Sequence, residues 1–476
     1  MGVPVLSEFQ KLSQPPRQFL VFSALNLFTW FSIGGPVMVL FARHIDMPAS
    51  WIGVLNSFLQ LATLLVIVTI PLVLRLGSKR LLLITWSLQS FAASLLFLVP
   101  WSLKLYGPHV GWCVMLAAVL GFCLVRATGI GGWFPLIHDV VPKAEQGAFF
   151  STEMALLQGC TVLATLVQAF ILGSDPTIGR FLFINGFGIT CGLLSALWLK
   201  RIPVTERKRT PLKGSGSIEA YTAALKDKGY LLFVFTTVTC FSGFAWINTS
   251  IVLYMRDAMH FTDMNIMIFL AAGNFGVLLT IAFWGRFAEE SGSGYAGLLA
   301  MLGHSFGAIA YLFLPPGAPW SAWLLPPTLV CTTLLGAAYW TINHRYMISL
   351  VDKEHKVGYT NLWIVGTALA MGVTPVITGY IIEHYGMLGF RAAFAISGFG
   401  GILAGLANFW VVHNRRPLRH ALDELVNPML PLRTVGRIAW VTVGLHSSNR
   451  RGESGVWRGE SGGRSPEAVA QSKVRD

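Results

Sequence analysis

Twelve apolar stretches follow one another between Phe19 and Val412, and each is about as long as a bilayer is thick. A helix needs roughly 20 apolar residues to cross the hydrocarbon core, and only helices or closed barrels satisfy their backbone polar groups in lipid. Because the stretches are continuous rather than alternating, they favour helices over a barrel. We therefore predict an all-α membrane protein with 12 transmembrane helices. The predicted helices 1 to 12 are Phe19–Ala42, Trp51–Leu74, Leu81–Leu103, Val110–Leu136, Ala148–Leu172, Phe181–Leu199, Tyr230–Tyr254, Met264–Phe287, Tyr295–Leu314, Ala322–Leu350, Tyr359–Ile382 and Phe390–Val412.

One basic, polar stretch separates these helices into two sets of six. The tail beyond the last helix becomes rich in Arg, Gly and Ser from Ser447, a composition typical of disorder. Basic residues of the linker and the tail could contact anionic lipid. The predicted regions are a cytoplasmic N-terminus at 1–18, a six-helix bundle at 19–199, a cytoplasmic linker at 200–229, a second six-helix bundle at 230–412 and a basic, partly disordered cytoplasmic tail at 413–476.

Composition and charge agree with a membrane protein. Hydrophobic residues make up 54% of the chain and charged residues 12%, whereas soluble proteins carry about 25% charged residues. The mean hydropathy is +0.60. The net charge of +13 is not spread over a surface, because Lys and Arg crowd the even-numbered loops and both termini. The positive-inside rule then places both termini in the cytoplasm. We expect a multi-pass protein of a bacterial inner membrane and no nucleic-acid partner.

The six cysteines all lie within predicted helices, with neither paired loop positions nor Cys-x-x-Cys spacing. Buried cysteine packs as a small hydrophobe, so we expect neither disulfides nor a metal site. The sequence shows no phosphate loop, metal cluster or nucleophile triad. We therefore predict that the protein is not an enzyme and binds no cofactor.

The two sets of six helices are sequence repeats. Five short motifs of the first set recur in the second in the same order, at offsets of 210 to 215 residues. One such match would be at chance level, but five in order are not. A six-plus-six parallel repeat is a known transporter plan, with the substrate site at mid-membrane between the halves. The matching motifs are Thr29–Ser32 with Thr239–Ser242, Leu40–Arg43 with Leu253–Arg256, Gly77 with Gly292, Val141–Gly147 with Val351–Gly358, and Ile184–Gly188 with Ile396–Gly400.

Helix 4 carries the strongest motif of the chain, Gly121-x-x-x-x-Arg126-x-x-Gly129-x-Gly131-Gly132. It resembles motif B of the major facilitator superfamily, whose arginine faces the central cavity. The resemblance extends over about residues 19–412. It implies two bundles that move by a rocker-switch, with helices 1, 4, 7 and 10 lining the cavity.

Two loops resemble motif A of the same family. In the first copy, Ile70 and Leu74 occupy the usual glycine and aspartate positions, so the latch carried by that aspartate is not expected. The glycine–proline motif of drug–proton antiporters is missing from helix 5. The residues that match motif A are Gly77, Lys79 and Arg80 after helix 2, and Gly285, Glu289 and Gly292 after helix 8.

Three ionisable side chains lie clearly inside predicted helices, namely Arg126, Glu153 and Arg345. Charge in the hydrocarbon core is costly, so such residues are functional candidates. Arg126 is a candidate for substrate binding or coupling, and a structural hydrogen-bond hub is the alternative. Glu153 and Arg345 each lie about 8 Å inside the cytoplasmic ends of helices 5 and 10, at 1.5 Å per residue. We predict that they form a gate salt bridge in the outward-open state, the alternative being that they snorkel to the interface.

Neutral polar and aromatic residues are weaker candidates, because interhelical Asn and Gln often serve only to join helices. The resemblance favours those on the cavity-lining helices and on flanking helices 5 and 11. His344, beside Arg345, is either a pH-sensitive gate residue or an ordinary loop-end histidine. Gln89 and His304, on peripheral helices, are expected to pack. The favoured residues are Asn26, Trp30, Gln158, Asn248, Tyr339, Trp340, Asn343 and Trp363.

Glycine and proline mark two expected interruptions of helices. Proline removes a backbone hydrogen bond and kinks a helix, and neighbouring helices can re-satisfy the freed carbonyls. We predict a moving hinge at each place, with static curvature as the alternative. The hinge candidates are Gly34, Gly35 and Pro36 in helix 1, and Gly372 and Pro375 in helix 11.

The sequence therefore predicts a monomeric secondary or facilitative transporter that moves a small solute by alternating access within the lipid bilayer. Two of the three buried charges are positive and helix 1 contains no acidic residue, which favours an anionic or polar organic solute. The alternatives are a metal-ion or drug efflux carrier of the same fold, and a non-transporting sensor or scaffold. The direction of transport and the coupling ion are left open.

Overall fold

The computed structural model describes residues 9–412, except for 11, 66–68, 70, 71, 74, 143, 144, 205–217 and 351–355. Ile70, Leu74, the centre of the predicted linker and the whole tail at 413–476 therefore lie outside the described residues. Within the described part of the chain the secondary structure is helical, without a β-strand. The expected all-α architecture is confirmed.

Eleven helices among the described residues are long and apolar enough to cross a bilayer. Helix 2 is described as a continuous segment over Ala49–Thr63, and part of its predicted span lies outside the described residues. A short helix, Ile218–Lys226, precedes helix 7. The remaining helices are Gln14–His44 (1), Ser78–Tyr106 (3), Pro108–Ile130 (4), Gln146–Leu172 (5), Ile178–Arg201 (6), Lys228–Ala258 (7), Asp263–Ser291 (8), Ser293–Phe313 (9), Pro319–Leu350 (10), Lys356–Tyr385 (11) and Met387–Val411 (12).

Local sequence explains where helices 7 and 8 begin. The Asp227 side chain accepts a hydrogen bond from the Tyr230 backbone N–H at 3.0 Å and so caps helix 7. Thr262 caps helix 8 in the same way, by accepting from the Asn265 N–H at 3.3 Å. Such caps satisfy one of the backbone donors that a helix start leaves without a partner.

Helix 1 consists of two segments, Gln14–Ile33 and Pro36–His44. Pro36 has no N–H to give to the preceding turn. The two glycines fit where larger residues would not, because a Cβ on Gly34 would lie 2.4 Å from the Trp30 ring and one on Gly35 would lie 2.5 Å from the Phe31 carbonyl oxygen. The interruption therefore lies where the Trp30 ring and the Phe31 backbone leave no room for a side chain.

Helices 4 and 11 differ from their predicted forms. Helix 11 runs unbroken from Lys356 to Tyr385 with Pro375 inside it, so the interruption expected there is wrong. Helix 4 was predicted as one span to Leu136, but it ends at Ile130, and a separate segment, Trp133–Val140, follows the glycine pair. Two adjacent glycines weaken a helix through their backbone entropy, which accounts for the break.

The helices pack in two equivalent sets. In the first half, helix 1 packs against helices 5 and 6, helix 3 against helices 4 and 6, and helix 2 against helix 4. In the second half, helix 7 packs against helices 11 and 12, helix 9 against helices 10 and 12, and helix 8 against helix 10. Each of these five helix pairs of the first half thus has a counterpart in the second half, formed by the helices six positions later. The structure repeats as the sequence does.

The most extensive contacts between the halves are those of helix 2 with helix 11 and of helix 5 with helix 8. Helices 2 and 11 approach very closely, since a Cβ on Gly53 would lie 2.3 Å from the Pro375 carbonyl oxygen and one on Gly379 would lie 2.3 Å from that of Ala49. Small residues permit such close backbone approach between membrane helices. These crossings fix the relative position of the two halves.

Candidate functional site

A central cavity of about 280 Å³ lies between the two halves. Helices 1, 2, 4, 7 and 11 contribute to its wall, and the broken part of helix 1 forms one side of it. Its polar lining includes Asn56 and Gln60 of helix 2 and Asn248 and Thr249 of helix 7. The cavity thus offers side-chain amides and a hydroxyl from both halves to a polar solute.

The two halves are joined by polar contacts at the end of the molecule where helix 1 finishes at His44, which we call the outer end. We call the opposite end, where helix 1 begins at Gln14, the inner end. The polar contacts across the outer end are Arg43 Nε with Asp257 Oδ1 at 2.9 Å, Arg256 Nη1 with the Leu40 carbonyl at 2.5 Å, the Ser50 N–H with Glu383 Oε2 at 2.9 Å, and the Met264 N–H with the Gly173 carbonyl at 3.2 Å.

Arg43 and Arg256 are equivalent residues of the two sequence repeats, and each reaches into the other half. Arg43 of helix 1 pairs with Asp257, and Arg256 of helix 7 donates to the backbone of helix 1. Arg256 also lies 3.5 Å from Asp263, which begins helix 8. We call these reciprocal contacts of Arg43 and Arg256 the outer clasp.

The first half contains a polar cluster built around Asn26 of helix 1. Asn26 Oδ1 accepts hydrogen bonds from Trp86 Nε1 of helix 3 at 2.8 Å and from Arg126 Nη1 of helix 4 at 2.9 Å. Trp30 lies one helical turn from Asn26, on the same face of helix 1. We call Asn26, Trp30, Trp86 and Arg126 the first-half cluster.

The Arg126 guanidinium lies between aromatic rings. Its Cζ is 5.2 Å from the centroid of the Trp30 ring and 5.5 Å from that of Trp86, within the range of a cation–π interaction. No acidic side chain among the described residues forms an ion pair with Arg126. A cavity of about 270 Å³, on the inner side of the central one, is lined by Arg126 together with Ser23, Asn26 and Trp133. The cation therefore borders a space that can hold an anion.

The second half contains a neutral cluster built around Asn343 of helix 10. Asn343 Oδ1 accepts from Trp363 Nε1 of helix 11 at 3.1 Å. Its Nδ2 donates to Thr237 Oγ1 of helix 7 at 3.1 Å and to the Tyr339 hydroxyl at 3.4 Å. We call Asn343, Trp363, Thr237 and Tyr339 the second-half cluster.

Further aromatic rings flank this cluster. The His344 ring centroid lies 4.4 Å from that of Trp363 and 4.9 Å from that of Trp340. Trp340 leaves 41% of its surface exposed, whereas Trp363 leaves 4%. Trp340 is thus exposed and His344 half-buried, and both lie beside the buried hydrogen bonds of the second-half cluster.

The predicted gate residues have partners within their own halves. Glu153 Oε1 accepts from Ser23 Oγ at 3.2 Å. Arg345 lies 2.7 Å from Glu289, and its Nη1 donates to the Gly285 carbonyl at 3.3 Å. Because the gate was expected only when the inner end is closed, the pairing of Glu153 with Arg345 stays a prediction.

The motif A residues adopt matching backbone conformations in the two halves. Gly77 has φ 80° and Gly292 has φ 87°, each directly before the next helix. This left-handed region favours glycine, which explains why both repeats carry it. Lys79 Nζ donates to the Ile202 carbonyl at 2.7 Å, beside the end of helix 6, and Arg80 lies exposed at the start of helix 3.

The structure places the other predicted residues outside the two clusters. Asn248 lines the central cavity. Gln158, on helix 5, lines neither of the two cavities described above. Gln89 and His304 are buried, and His304 Nδ1 lies 3.0 Å from the Thr332 carbonyl.

The sequence reasoning missed several members of the site, namely Trp86, Ser23, Thr237, Asn56 and Gln60. Trp86 lies on a peripheral helix, but a tryptophan buried in mid-helix needs an acceptor for its indole N–H, and that requirement could have identified it. Ser23 and Thr237 carry no such signal, because hydroxyls in membrane helices commonly bond to their own backbone.

A metal ion bound by side chains needs several donor groups close together. In the part of the chain that the structure describes, no group of three or more His, Cys, Asp or Glu side chains comes together. The polar groups of the cavities are amides, hydroxyls, indoles and one guanidinium. These groups suit an organic solute better than a cation.

Two equivalent six-helix halves around a central cavity follow a known plan of membrane transporters. The family model for the Major Facilitator Superfamily matches residues 19–336 and 328–448. The chain belongs to this superfamily, and it is a multi-pass membrane transporter rather than an enzyme. No curated protein sequence matches the chain.

Solved structures with the same fold share little sequence with this chain. The nucleoside transporter NupG is 13% identical, with a TM-score of 0.63 over 84% of this chain and 100% of its own. A bacterial homologue of the iron transporter ferroportin in an inward-facing state is 11% identical, with a TM-score of 0.65 over 84% and 98%. A D-xylose–proton symporter is 14% identical, with a TM-score of 0.64 over 83% and 97%. At such identities the likeness concerns the fold alone.

Proposed function

We propose that this transporter moves a small anionic or polar organic solute by rocker-switch alternating access. The observation that carries the proposal is Arg126, a cation that borders an internal cavity and forms no ion pair with a described acidic residue. Ionisable groups within membrane helices usually mark a substrate or ion pathway. An anionic group of the solute would supply the missing counter-charge.

The second half supports the same proposal with neutral groups. Asn343, Tyr339 and Trp363 form a hydrogen-bonded layer, and Trp340 stays accessible beside it. Apolar rings with a few placed polar groups are typical of small-molecule sites. The solute would therefore place its charge at Arg126 and its remaining surface against the second half.

The structure supports a state that is closed at the outer end. Arg43, Arg256 and Glu383 join the halves there, while Glu153 and Arg345 near the inner end bond within their own halves. We propose that the inner end is cytoplasmic, as the positive-inside rule indicates, and that the protein lies in a bacterial inner membrane as a monomer. In this topology the two bundles at 19–199 and 230–412 move against each other, and the linker and tail contact anionic lipid.

Closure of the inner end would allow the predicted salt bridge between Glu153 and Arg345 to form. Glu153 and Arg345 lie at similar depth on opposite halves, so Arg345 could exchange Glu289 for Glu153 when the halves approach. The glycines and prolines of helices 1 and 11 would absorb the bending that this movement requires. Reversing both charges, as Glu153→Arg with Arg345→Glu, should restore transport that either single reversal removes. A double reversal no better than the worse single variant would exclude the gate.

A second candidate, already left open by the sequence, is a metal-ion carrier of the same fold. A drug efflux carrier and a sensor or scaffold are further candidates. Deletion of 447–476 separates the last of these, since transport should survive the deletion and scaffolding should not.

The proposal is tested with the purified full chain in liposomes and a panel of labelled solutes. Matched pairs share one skeleton with and without a negative charge, namely D-glucose with D-glucuronate, glycerol with glycerol 3-phosphate, and uridine with uridine monophosphate. Fe²⁺ and tetraphenylphosphonium represent metal and drug transport, and protein-free liposomes are the control. We expect uptake of at least one organic anion or polar solute. Uptake confined to Fe²⁺ or to the organic cation would overturn the proposal.

A further inference from the structure

A third cavity, of about 420 Å³, lies between helices 1 and 5, and we call it the side cavity. Its residues on helix 1 are offset by roughly half a turn from Ser23 and Asn26, so it lies on the face of helix 1 opposite the polar cavity. Leu163 and Val167, farther along the same face of helix 5, are exposed. The side cavity therefore opens to the hydrocarbon of the bilayer, away from the proposed solute path. Its lining includes Phe9, Leu20, Ala24, Phe28, Thr152 and Leu156.

Arg17 of helix 1 lies beside the inner end of the side cavity. Its Cζ is 5.7 Å from the centroid of the Phe9 ring, which forms part of the cavity wall. The guanidinium donates to the Gln10 carbonyl, but its Nε has no hydrogen-bond partner among the described residues. The nearby carboxylate of Glu145 accepts two hydrogen bonds from Ser13, and no described acidic side chain forms an ion pair with Arg17. Its charge is therefore available to an anion from outside the chain.

The cation and the far wall of the side cavity are separated by about the depth of one leaflet. Phe28 follows Arg17 by 11 residues, or roughly 16 Å along the helix at 1.5 Å per residue. Half of a hydrocarbon core about 30 Å thick is about 15 Å. Arg17 lies three residues after Gln14, where helix 1 begins, which is the level of the lipid head groups. Cavity residues follow Arg17 on one face of the helix, at spacings of three and four residues, namely Leu20, Ala24 and Phe28.

We propose that the side cavity binds an acyl chain of an anionic glycerophospholipid from the leaflet at the inner end, with the phosphate beside Arg17. Phe28 closes the far end of the site, where its ring packs edge-on against Phe187 of helix 6 at 6.0 Å between centroids. An anionic head group is favoured because basic residues at the membrane surface attract negatively charged lipid. Both walls belong to the first half, so the site depends neither on the relative position of the halves nor on the solute.

Native mass spectrometry of the full chain tests this lipid site. The protein is reconstituted with equal amounts of phosphatidylglycerol and phosphatidylethanolamine, extracted in mild detergent and weighed. The wild type should retain one phosphatidylglycerol. Arg17→Gln should reduce its preference over phosphatidylethanolamine roughly five-fold, the contribution of one basic residue at the surface. Ala24→Trp should fill the cavity and remove the retained lipid whatever its head group.

Arg201→Gln is the matched control for the charge. Arg201 is another arginine at the inner end, on helix 6, and its Cζ lies 5.9 Å from the Trp198 ring. It lines none of the three cavities, so its substitution should leave the retained phosphatidylglycerol unchanged. A wild type that retains no phosphatidylglycerol, or a free fatty acid in its place, would overturn the proposal. Equal effects of Arg17→Gln and Arg201→Gln would overturn it as well.

A photoreactive phosphatidylglycerol tests the site in the unmodified protein, so this result does not depend on the folding of any variant. The lipid carries a diazirine in one acyl chain, and the crosslinked residues are identified in peptides after irradiation. Crosslinks should concentrate at residues 20–28 and 152–156. Excess phosphatidylglycerol should suppress them more than excess phosphatidylethanolamine. Crosslinks spread evenly over the exposed apolar faces of the helices would contradict a specific site.

Discussion

The two halves of this transporter share one scaffold but differ in the charge they place beside the cavity. In each half an asparagine Oδ1 accepts the indole N–H of a tryptophan from another helix, Asn26 from Trp86 and Asn343 from Trp363. In the first half the same oxygen also holds Arg126. In the second half the amide of Asn343 bonds instead to a threonine and a tyrosine.

This difference predicts that the equivalent polar clusters of the two halves have different roles in binding the solute. A membrane-embedded cation is costly and is retained where it acts, whereas neutral hydrogen bonds between membrane helices contribute about 0.6 kcal/mol each. The first half would then select the charge of the solute, and the second half would bind its remaining surface. Substitutions at matched positions can separate these roles.

The largest expected effect comes from Arg126→Ala. A hydrogen bond to a charged group contributes about 1.5–3 kcal/mol, so binding of an anionic solute should weaken roughly 10- to 100-fold. The neutral member of a matched pair should lose much less. Arg126→Lys should recover part of the anion binding, because the charge remains but the planar guanidinium does not. Competition for labelled uptake measures these affinities, and equal losses for charged and neutral solutes would contradict this difference in roles.

Asn26→Leu and Asn343→Leu give the next comparison. Each leaves buried donors without an acceptor, at about 1–3 kcal/mol per orphaned group. Asn26→Leu affects both Trp86 and Arg126, so it should lower the thermal stability more than Asn343→Leu and should selectively impair anion uptake. Asn343→Leu should reduce uptake of charged and neutral solutes alike. Melting in detergent and paired uptake assays check both expectations, and an anion-selective loss in Asn343→Leu would contradict them.

Trp86→Phe and Trp363→Phe remove one indole N–H each. The net value of one hydrogen bond is about 0.5–1.5 kcal/mol. Asn26 keeps Arg126 as a donor after the first substitution, whereas Asn343 Oδ1 loses the one donor that the structure shows for it. The melting temperature should therefore fall more for Trp363→Phe than for Trp86→Phe, and the reverse order would contradict this explanation from the remaining donors.

The smallest expected effect concerns the outer clasp, where the halves are alike. Partly exposed ion pairs contribute about 0.2–1 kcal/mol. Arg43→Gln and Arg256→Gln should each favour opening of the outer end by a few-fold, and to a similar degree. Reaction of a cysteine at Asn248 with an impermeant thiol reagent from the outer side measures this opening. A large effect of one variant and none of the other would show that the clasp is not reciprocal.

Sequence reasoning predicted the framework of this protein more fully than its side-chain contacts. The helices and the repeat follow from apolar length and spacing, and the cost of buried charge makes Arg126 a candidate site residue. The break in helix 4 was missed because glycines 131 and 132 were interpreted only as part of a motif. The Arg345 partner Glu289 could not be deduced, since the contact depends on how helix 8 packs against helix 10.

The candidate site shows the same limit. Asn26, Trp30 and Arg126 come together because they lie on helices that the resemblance already places around the cavity. Trp86 joins them, and Thr237 joins the second-half cluster, through rotations of helices 3 and 7 that a single sequence does not specify. Gln158 shows the converse, because a polar residue on a flanking helix can still lie away from both cavities.

Alternating access, the central claim, is tested most directly by distances between paired spin labels in lipid. With the native cysteines replaced, one pair at Asp46 and Tyr385 spans the outer ends of the two halves, and a second pair at Arg201 and Ser349 spans the inner ends. When the transported solute is added, the account predicts a population in which the outer distance lengthens and the inner distance shortens together. Distances that do not change, or that lengthen at both ends at once, would contradict it.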